Sequence, residues 1–160
     1  MLDAMRYMHG PAKFFLSALL FASTLGAAPA ADRTWHLVLH VHSLHESTSD
    51  PDITDRTPGL GVMRRTSEHW LLGVGVFRNS IGRTSGYLVG GKQWELGPVR
   101  AGGLAGLTHN YRGNDGGLVP LAAGLVTVPI GDRLALEFIA IPRVRDYSYA
   151  TLNLSLSRRL

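Results

Sequence analysis

What most constrains this chain is its rhythm: runs of roughly ten residues, alternating or built from small and apolar residues, each ended by a polar turn. Eight such runs can be traced: Thr34 to His45, Gly59 to Arg65, His69 to Asn79, Thr84 to Leu96, Val99 to His109, Leu118 to Ile130, Arg133 to Pro142 and Tyr147 to Leu160. After the first thirty residues no stretch approaches ~20 consecutive apolar residues, so helices that cross a membrane are excluded there. An even number of short alternating strands predicts an all-β chain, an eight-stranded antiparallel outer-membrane β-barrel with strands of about 9 to 11 residues.

The alternation can be followed residue by residue. In the first run Leu37, Leu39 and Val41 share one face and His36, His40 and His42 the other, so the aliphatics would meet lipid and the imidazoles the lumen. In the seventh run Leu134, Leu136 and Phe138 point outward and Glu137 inward, and in the last Leu152, Leu154 and Leu156 oppose Asn153, Ser155 and Ser157. A soluble barrel or sandwich also alternates, but it shows Lys and Glu on its outer face, and here that face is nearly devoid of Lys. Gly73, Gly75, Gly86, Gly90, Gly91, Gly102, Gly103 and Gly106 fall inside the runs, where glycine costs stability. They make room for something close to the backbone, whether an acyl chain in a narrow lumen or a tight bend. Pro120 and Pro142 lie within or at the end of strands and cannot donate to a ladder. The wall beside each is therefore expected to be locally unpaired, as a turn boundary or as a gap admitting a lipid sideways.

The first thirty residues read as a secretory signal peptide: Arg6 and Lys13, a mostly apolar run from Phe14 to Leu25, and small residues for cleavage at Ala28-Pro29-Ala30. Met5 or Met8 is an alternative start. The mature chain would begin near Ala31 as one domain, residues 31–160, exported across the inner membrane. From Asp32 onward there are 14 basic and 11 acidic residues, a balance of +3, with Arg supplying 13 of the basic ones. That density does not suit nucleic acid. Arginine suits bidentate binding of phosphate, which phosphorylated lipid presents, although a codon bias would also favour it. With no Cys there is neither a disulfide scaffold nor a thiolate metal site. His36, His40, His42 and His45 invite a metal reading, but no further acidic or Cys ligand pattern accompanies them, and a metal is not expected.

For chemistry the informative stretch is Gly75 to Tyr87, which joins two clear strands through a polar turn. Asn79 and Ser80 come where the apolar alternation stops, so they emerge together at a strand end. Turns use both residues for local hydrogen bonds, and that plain reading stands beside the functional one.

In order and approximate spacing, several segments resemble the PagP-type lipid A palmitoyltransferases. These are Thr34-Trp35-His36, Arg56-Thr57-Pro58-Gly59-Leu60-Gly61, Val76-Phe77-Arg78-Asn79-Ser80, Ser85-Gly86-Tyr87, Leu118-Val119-Pro120-Leu121 and Phe138-Ile139-Ala140-Ile141-Pro142. The resemblance implies a monomeric enzyme of the Gram-negative outer membrane. It would move a palmitoyl or similar chain from a phospholipid acyl donor to lipid A or lipopolysaccharide as acceptor, without a cofactor. It further implies catalysis by a first-strand histidine and an Asp-Ser pair. Ser80 matches the serine, whereas Asn79 stands where the family has Asp and cannot carry a negative charge.

The local motif points to His36, and the distance to the Pro-Gly segment to His40, His42 or His45. Because the Asn79-Ser80 turn would lie at the outer rim, the histidine should come late in the first strand, which makes His45 the first choice and His42 the second. His45 would then act as base on the acceptor hydroxyl, with Ser80 and Asn79 serving the ester carbonyl. The resemblance also places chain-length selection near Leu88 and Val89, and substrate access near Pro120 and Pro142. The family usually carries an amphipathic helix before its first strand, and only Asp32 and Arg33 separate the expected mature start from strand one here. Two other readings are a non-catalytic barrel with a structural or binding role, using the acidic loop from Glu46 to Pro58, and a lipid A deacylase. The deacylase lacks support, since no His follows Tyr111.

Overall fold

A computed structural model describes residues 33–46, 53–111, 117–143 and 149–160. The expected leader and cleavage site, the middle of the first long loop and the start of the last run at Tyr147 lie outside the described residues. Eight strands form: β1 Arg33–His45, β2 Gly59–Thr66, β3 Trp70–Arg78, β4 Thr84–Leu96, β5 Val99–His109, β6 Leu118–Ile130, β7 Leu134–Ile141 and β8 Thr151–Arg159. Each pairs antiparallel with its neighbours in the chain, and β8 returns to β1, closing the barrel. Closure removes both free edges, so wherever neighbouring strands pair the backbone is satisfied without water, which a wall in hydrocarbon requires.

The two ends differ. Turns at 67–69, 97–98 and 131–133 close one end, where β1 begins and β8 finishes, while the strand ends His45 and Gly59, Arg78 and Thr84, His109 and Leu118, and Ile141 and Thr151 lie at the other, joined by longer stretches of sequence. Short turns on one side and longer loops on the other are the asymmetry of outer-membrane barrels, with the loop side facing the cell exterior. Outward positions carry Leu37, Leu39, Leu60, Leu107, Val126 and Leu152, all exposed to the surroundings of the isolated barrel. Glu137 and Ser155 point inward as the alternation requires.

One part of that alternation is corrected. The β1–β8 register slips between His40, paired with Ser155, and His42, paired with Leu154. This bulge inserts one residue, so His40 and Ser43 face the lumen while His42 joins the outward face of Leu154. One of the strand glycines expected to make room, Gly75, does so for a side chain of the barrel itself. Gly61 and Gly75 are cross-strand partners. A Cβ on Gly75 would come within 2.6 Å of the Tyr87 hydroxyl. The pair seats a tyrosine that fills part of the lumen, rather than leaving space for a ligand.

Candidate functional site

The lumen has two storeys. In the lower one, nearer the turns, Glu137 is 1% exposed and is gripped from three strands. Arg65 Nη2 donates to its Oε1, Ser157 Oγ donates to the same oxygen at 2.6 Å, and Thr127 Oγ1 donates to Oε2 at 2.7 Å. Arg65 Nη1 donates to Gln93 Oε1 at 2.9 Å, and Gln93 Nε2 donates to Thr127 Oγ1 at 2.9 Å. A buried ion pair persists only when its remaining lone pairs and protons are satisfied, and this network satisfies nearly all of them. It forms a polar floor across the barrel. Beneath it a cavity of about 220 Å³, lined by His36, Arg100 and Arg159 among others, faces the turn end.

Above the floor lies a cavity of about 1070 Å³, at the top of the ~300–1,000 Å³ range common for small-molecule sites. Val38, Met63, Val89, Leu104, Leu125 and Ile139 line its lower part. Along β6 it runs from Leu118 to Leu125, roughly 25 Å of strand at ~3.3 Å per residue. One wall is polar: Tyr87 Oη donates to His40 Nε2 at 2.9 Å, His40 Nδ1 donates to Ser155 Oγ at 2.8 Å, and Ser155 Oγ donates to Asn153 Oδ1 at 2.9 Å.

The same cavity reaches sideways. Six consecutive β6 residues, Leu118 to Ala123, border it. In a paired wall only alternate residues face inward. The β6–β7 ladder begins at Gly124↔Ala140, so Val119 to Ala123 have no ladder partner on β7. Pro120, which cannot donate a hydrogen bond, sits in this seam, and Pro142 lies exposed immediately beyond the end of β7. The expected unpaired stretch is thus present beside Pro120, on its β7 side, whereas Pro142 lies outside the strands and does not line the cavity.

At the mouth, His45 and Ser80 line the same cavity. His45 Nδ1 is 3.0 Å from Asp55 Oδ1, which fixes the tautomer with the proton on Nδ1 and leaves Nε2 as the basic nitrogen. The segment carrying Asp55 is stitched to both sides: Ser43 N donates to Asp55 O, and Thr54 N donates to Ser80 O, each at 2.8 Å. Adjacent residues, Thr54 and Asp55, therefore tie the serine turn and the histidine strand to one loop. Tyr111 also lines the mouth, and burial pushes its phenol up to about 12, so it stays a neutral hydrogen-bonding group.

The other expected site residues divide. Asn79 is 0% exposed and its amide is fully committed. Nδ2 donates to Ser85 Oγ at 2.9 Å and to Asn110 O at 3.0 Å, and Oδ1 accepts from Arg83 N at 2.8 Å. No donor remains for an ester carbonyl, so the expectation that Asn79 serves the carbonyl is replaced by a structural role: it staples the β3–β4 turn to the end of β5. His42 faces outward and cannot reach the lumen mouth as a second-choice base. Leu88 pairs with Val74 and Leu107 on the outward face and does not line the cavity, whereas Val89 does. Among the described residues no three His, Asp or Glu side chains converge as metal ligands.

Sequence reasoning passed over Asp55, which sits in a loop with no periodic signal, and the His40–Tyr87 pair. The partnership of Arg65 with Glu137 had a signal: opposite charges on the inward face of two strands need each other.

No protein-family model matches the chain, and no curated protein matches it. Among solved structures, it is similar to the de novo designed barrel TMB2.3, determined in solution by NMR, with 19% identity and a TM-score of 0.62 over 83% of this chain and 98% of that one. A second chain, described under the de novo design of transmembrane β-barrels, gives 16% identity and a TM-score of 0.56 with the same coverage. The Yersinia pestis outer membrane protein Ail gives 10% identity and a TM-score of 0.47, covering 79% of this chain and 99% of that one. At these identities the likeness concerns the fold alone, that of an eight-stranded transmembrane barrel.

Proposed function

We propose that this barrel is an acyltransferase of the Gram-negative outer membrane, taking a fatty acyl chain from a phospholipid and passing it to lipid A. The observation carrying the proposal is an apolar lumen, closed below by a polar floor and open above to a mouth lined by Ser80 and the His45–Asp55 pair. An acyl chain threaded through the β6–β7 seam would lie in the apolar storey with its ester at the mouth. There His45 Nε2 would take the proton of the acceptor hydroxyl, with Asp55 holding the ring and stabilising the imidazolium. Ser80 would serve the carbonyl, as nucleophile or as donor to the oxyanion. The bond broken is the donor ester and the bond formed is the new ester, the proton returning to the leaving lysophospholipid alkoxide. No cofactor is required by this balance.

One observation favours a second reading, a lipid-binding barrel without catalysis: the residue before Ser80 is an amide wholly used in holding a turn. Mass spectrometry of lipid A from cells with and without the protein separates the two. A gain of one acyl mass that requires Ser80 supports transfer; an unchanged lipid A, with phospholipid still retained by the purified barrel, supports binding. Loss of an acyl mass would indicate deacylation and contradict both.

A further inference from the structure

The outer surface at the turn end carries an arrangement that the lumen does not explain. All three tryptophans of the chain, Trp35, Trp70 and Trp94, point outward there and are 44%, 51% and 58% exposed. Cations stand among them. Arg64 lies on the outward face between its cross-strand partners Trp35 and Leu72, and Lys92 pairs with Trp70, its Nζ 5.0 Å from the centre of the Trp70 ring. Among the described residues neither Arg64 nor Lys92 takes part in an ion pair. Arg158 adds a further outward cation on β8, between Leu37 and Leu134.

An unpaired cation on the lipid face is costly at mid-membrane and nearly free at the interface, where the long side chain reaches the headgroups and tryptophan settles at the same level. This row therefore marks the interface on the turn side. Arg64 and Lys92 flank β3 two strand spacings apart and are offset by two residues along it, one opposite Leu72 and the other opposite Trp70, so their backbones are roughly 12 Å apart. Both side chains are long enough to converge on one phosphate lying over Trp70 and Leu72, with Arg64 giving paired donors and Lys92 a point charge. Short turns belong to the periplasmic side, whose leaflet is built of glycerophospholipid.

We infer that the outward patch of Arg64, Lys92, Trp70 and Trp35 is a binding site for the headgroup of an anionic glycerophospholipid in the periplasmic leaflet, independent of any acyl transfer in the lumen. The site anchors the barrel at a fixed depth and selects for negative charge, because among the described residues no carboxylate is ion-paired with either of its two cations.

The test uses the protein in nanodiscs of phosphatidylcholine doped with phosphatidylglycerol, with native mass spectrometry counting the lipids retained after release. Wild type should keep phosphatidylglycerol in preference to phosphatidylcholine. Arg64→Gln and Lys92→Gln should each weaken that preference by roughly five-fold and the double variant by more than either, as expected for cations at a charged membrane surface. Arg64→Lys should retain part of it, and Arg78→Gln, at the opposite rim, should retain all of it. Unchanged melting of the double variant in pure phosphatidylcholine shows that the fold is intact, and the single variants carry the test if it is not. A wild type without preference, or a folded double variant that keeps it, overturns the inference.

Discussion

The two storeys of the lumen are built by the same eight strands with the same alternation, yet they are filled in opposite ways. Below, large polar and charged side chains meet from β2, β4, β6, β7 and β8 and satisfy one another around Glu137. Above, the inward positions shrink to Val89, Ala123 and Ile139, and the space they leave is a cavity. A barrel of this size is wide enough for side chains to fill it completely. The upper emptiness is composed by residue choice at a few inward positions, while the floor provides the rigidity that lets the rest stay open.

The largest expected effect breaks the floor. Glu137→Ala would leave the Arg65 guanidinium buried without its counter-charge, and the unfolding midpoint in urea should fall by the equivalent of about 3–5 kcal/mol. Glu137→Gln should cost less, because the amide oxygen can still accept from Arg65 and Ser157 in the place of Oε1, although its NH2 would then face the Thr127 hydroxyl that now donates to Oε2.

The next breaks the mouth while leaving the floor intact. Ser80→Ala and His45→Ala should each lower acyl transfer to lipid A by roughly 10²–10³-fold, with unfolding unchanged. Asp55→Asn should lower it less, since the ring would keep a neighbour but lose the charge that steadies the imidazolium.

Asn79→Asp is a sharper probe, because it installs the acid that the resembling family carries. A carboxylate would place its oxygen against the Asn110 carbonyl, where the amide now donates at 3.0 Å. The expected outcome is a loss of about 1–3 kcal/mol in unfolding, with no gain in transfer. The smallest effect separates two neighbours in β4. Val89→Phe should shorten the acyl chains accepted, read by the mass added to lipid A, whereas Leu88→Phe on the lipid face should leave them unchanged.

Strand positions were readable because period-two patterning declares both the strand and its inward face: β4, β5 and β6 have the bounds expected from the alternation, and Glu137 points inward as expected. His42 was misplaced because the β1 bulge is invisible to an alternation count, and the extra residue reverses every face beyond it. For Leu88 the reason is simpler: nearness in sequence to the Asn79–Ser80 turn says nothing of the face, and strand parity puts Leu88 outward beside Val74 and Leu107. Asn79 reads both as turn chemistry and as part of a site, and its three hydrogen bonds account for it in the turn, a set of tertiary contacts that no local pattern shows. Asp55 could not be read at all, because a loop aspartate reaches a strand histidine through tertiary contacts that no local pattern encodes. The same holds for the Trp70–Lys92 pairing, which depends on the β3–β4 register.

The most direct test of the account is to locate the chain end inside the barrel. With a phospholipid bound whose acyl chain ends in a protonated methyl against an otherwise deuterated background, NMR contacts from that methyl can be assigned to methyl-labelled side chains. An acyl chain housed in the lumen should give contacts to Val89, Met63 or Leu125 above the floor and none to residues below Glu137. Contacts only to outward residues such as Leu88 or Leu107, or to none at all, would contradict it.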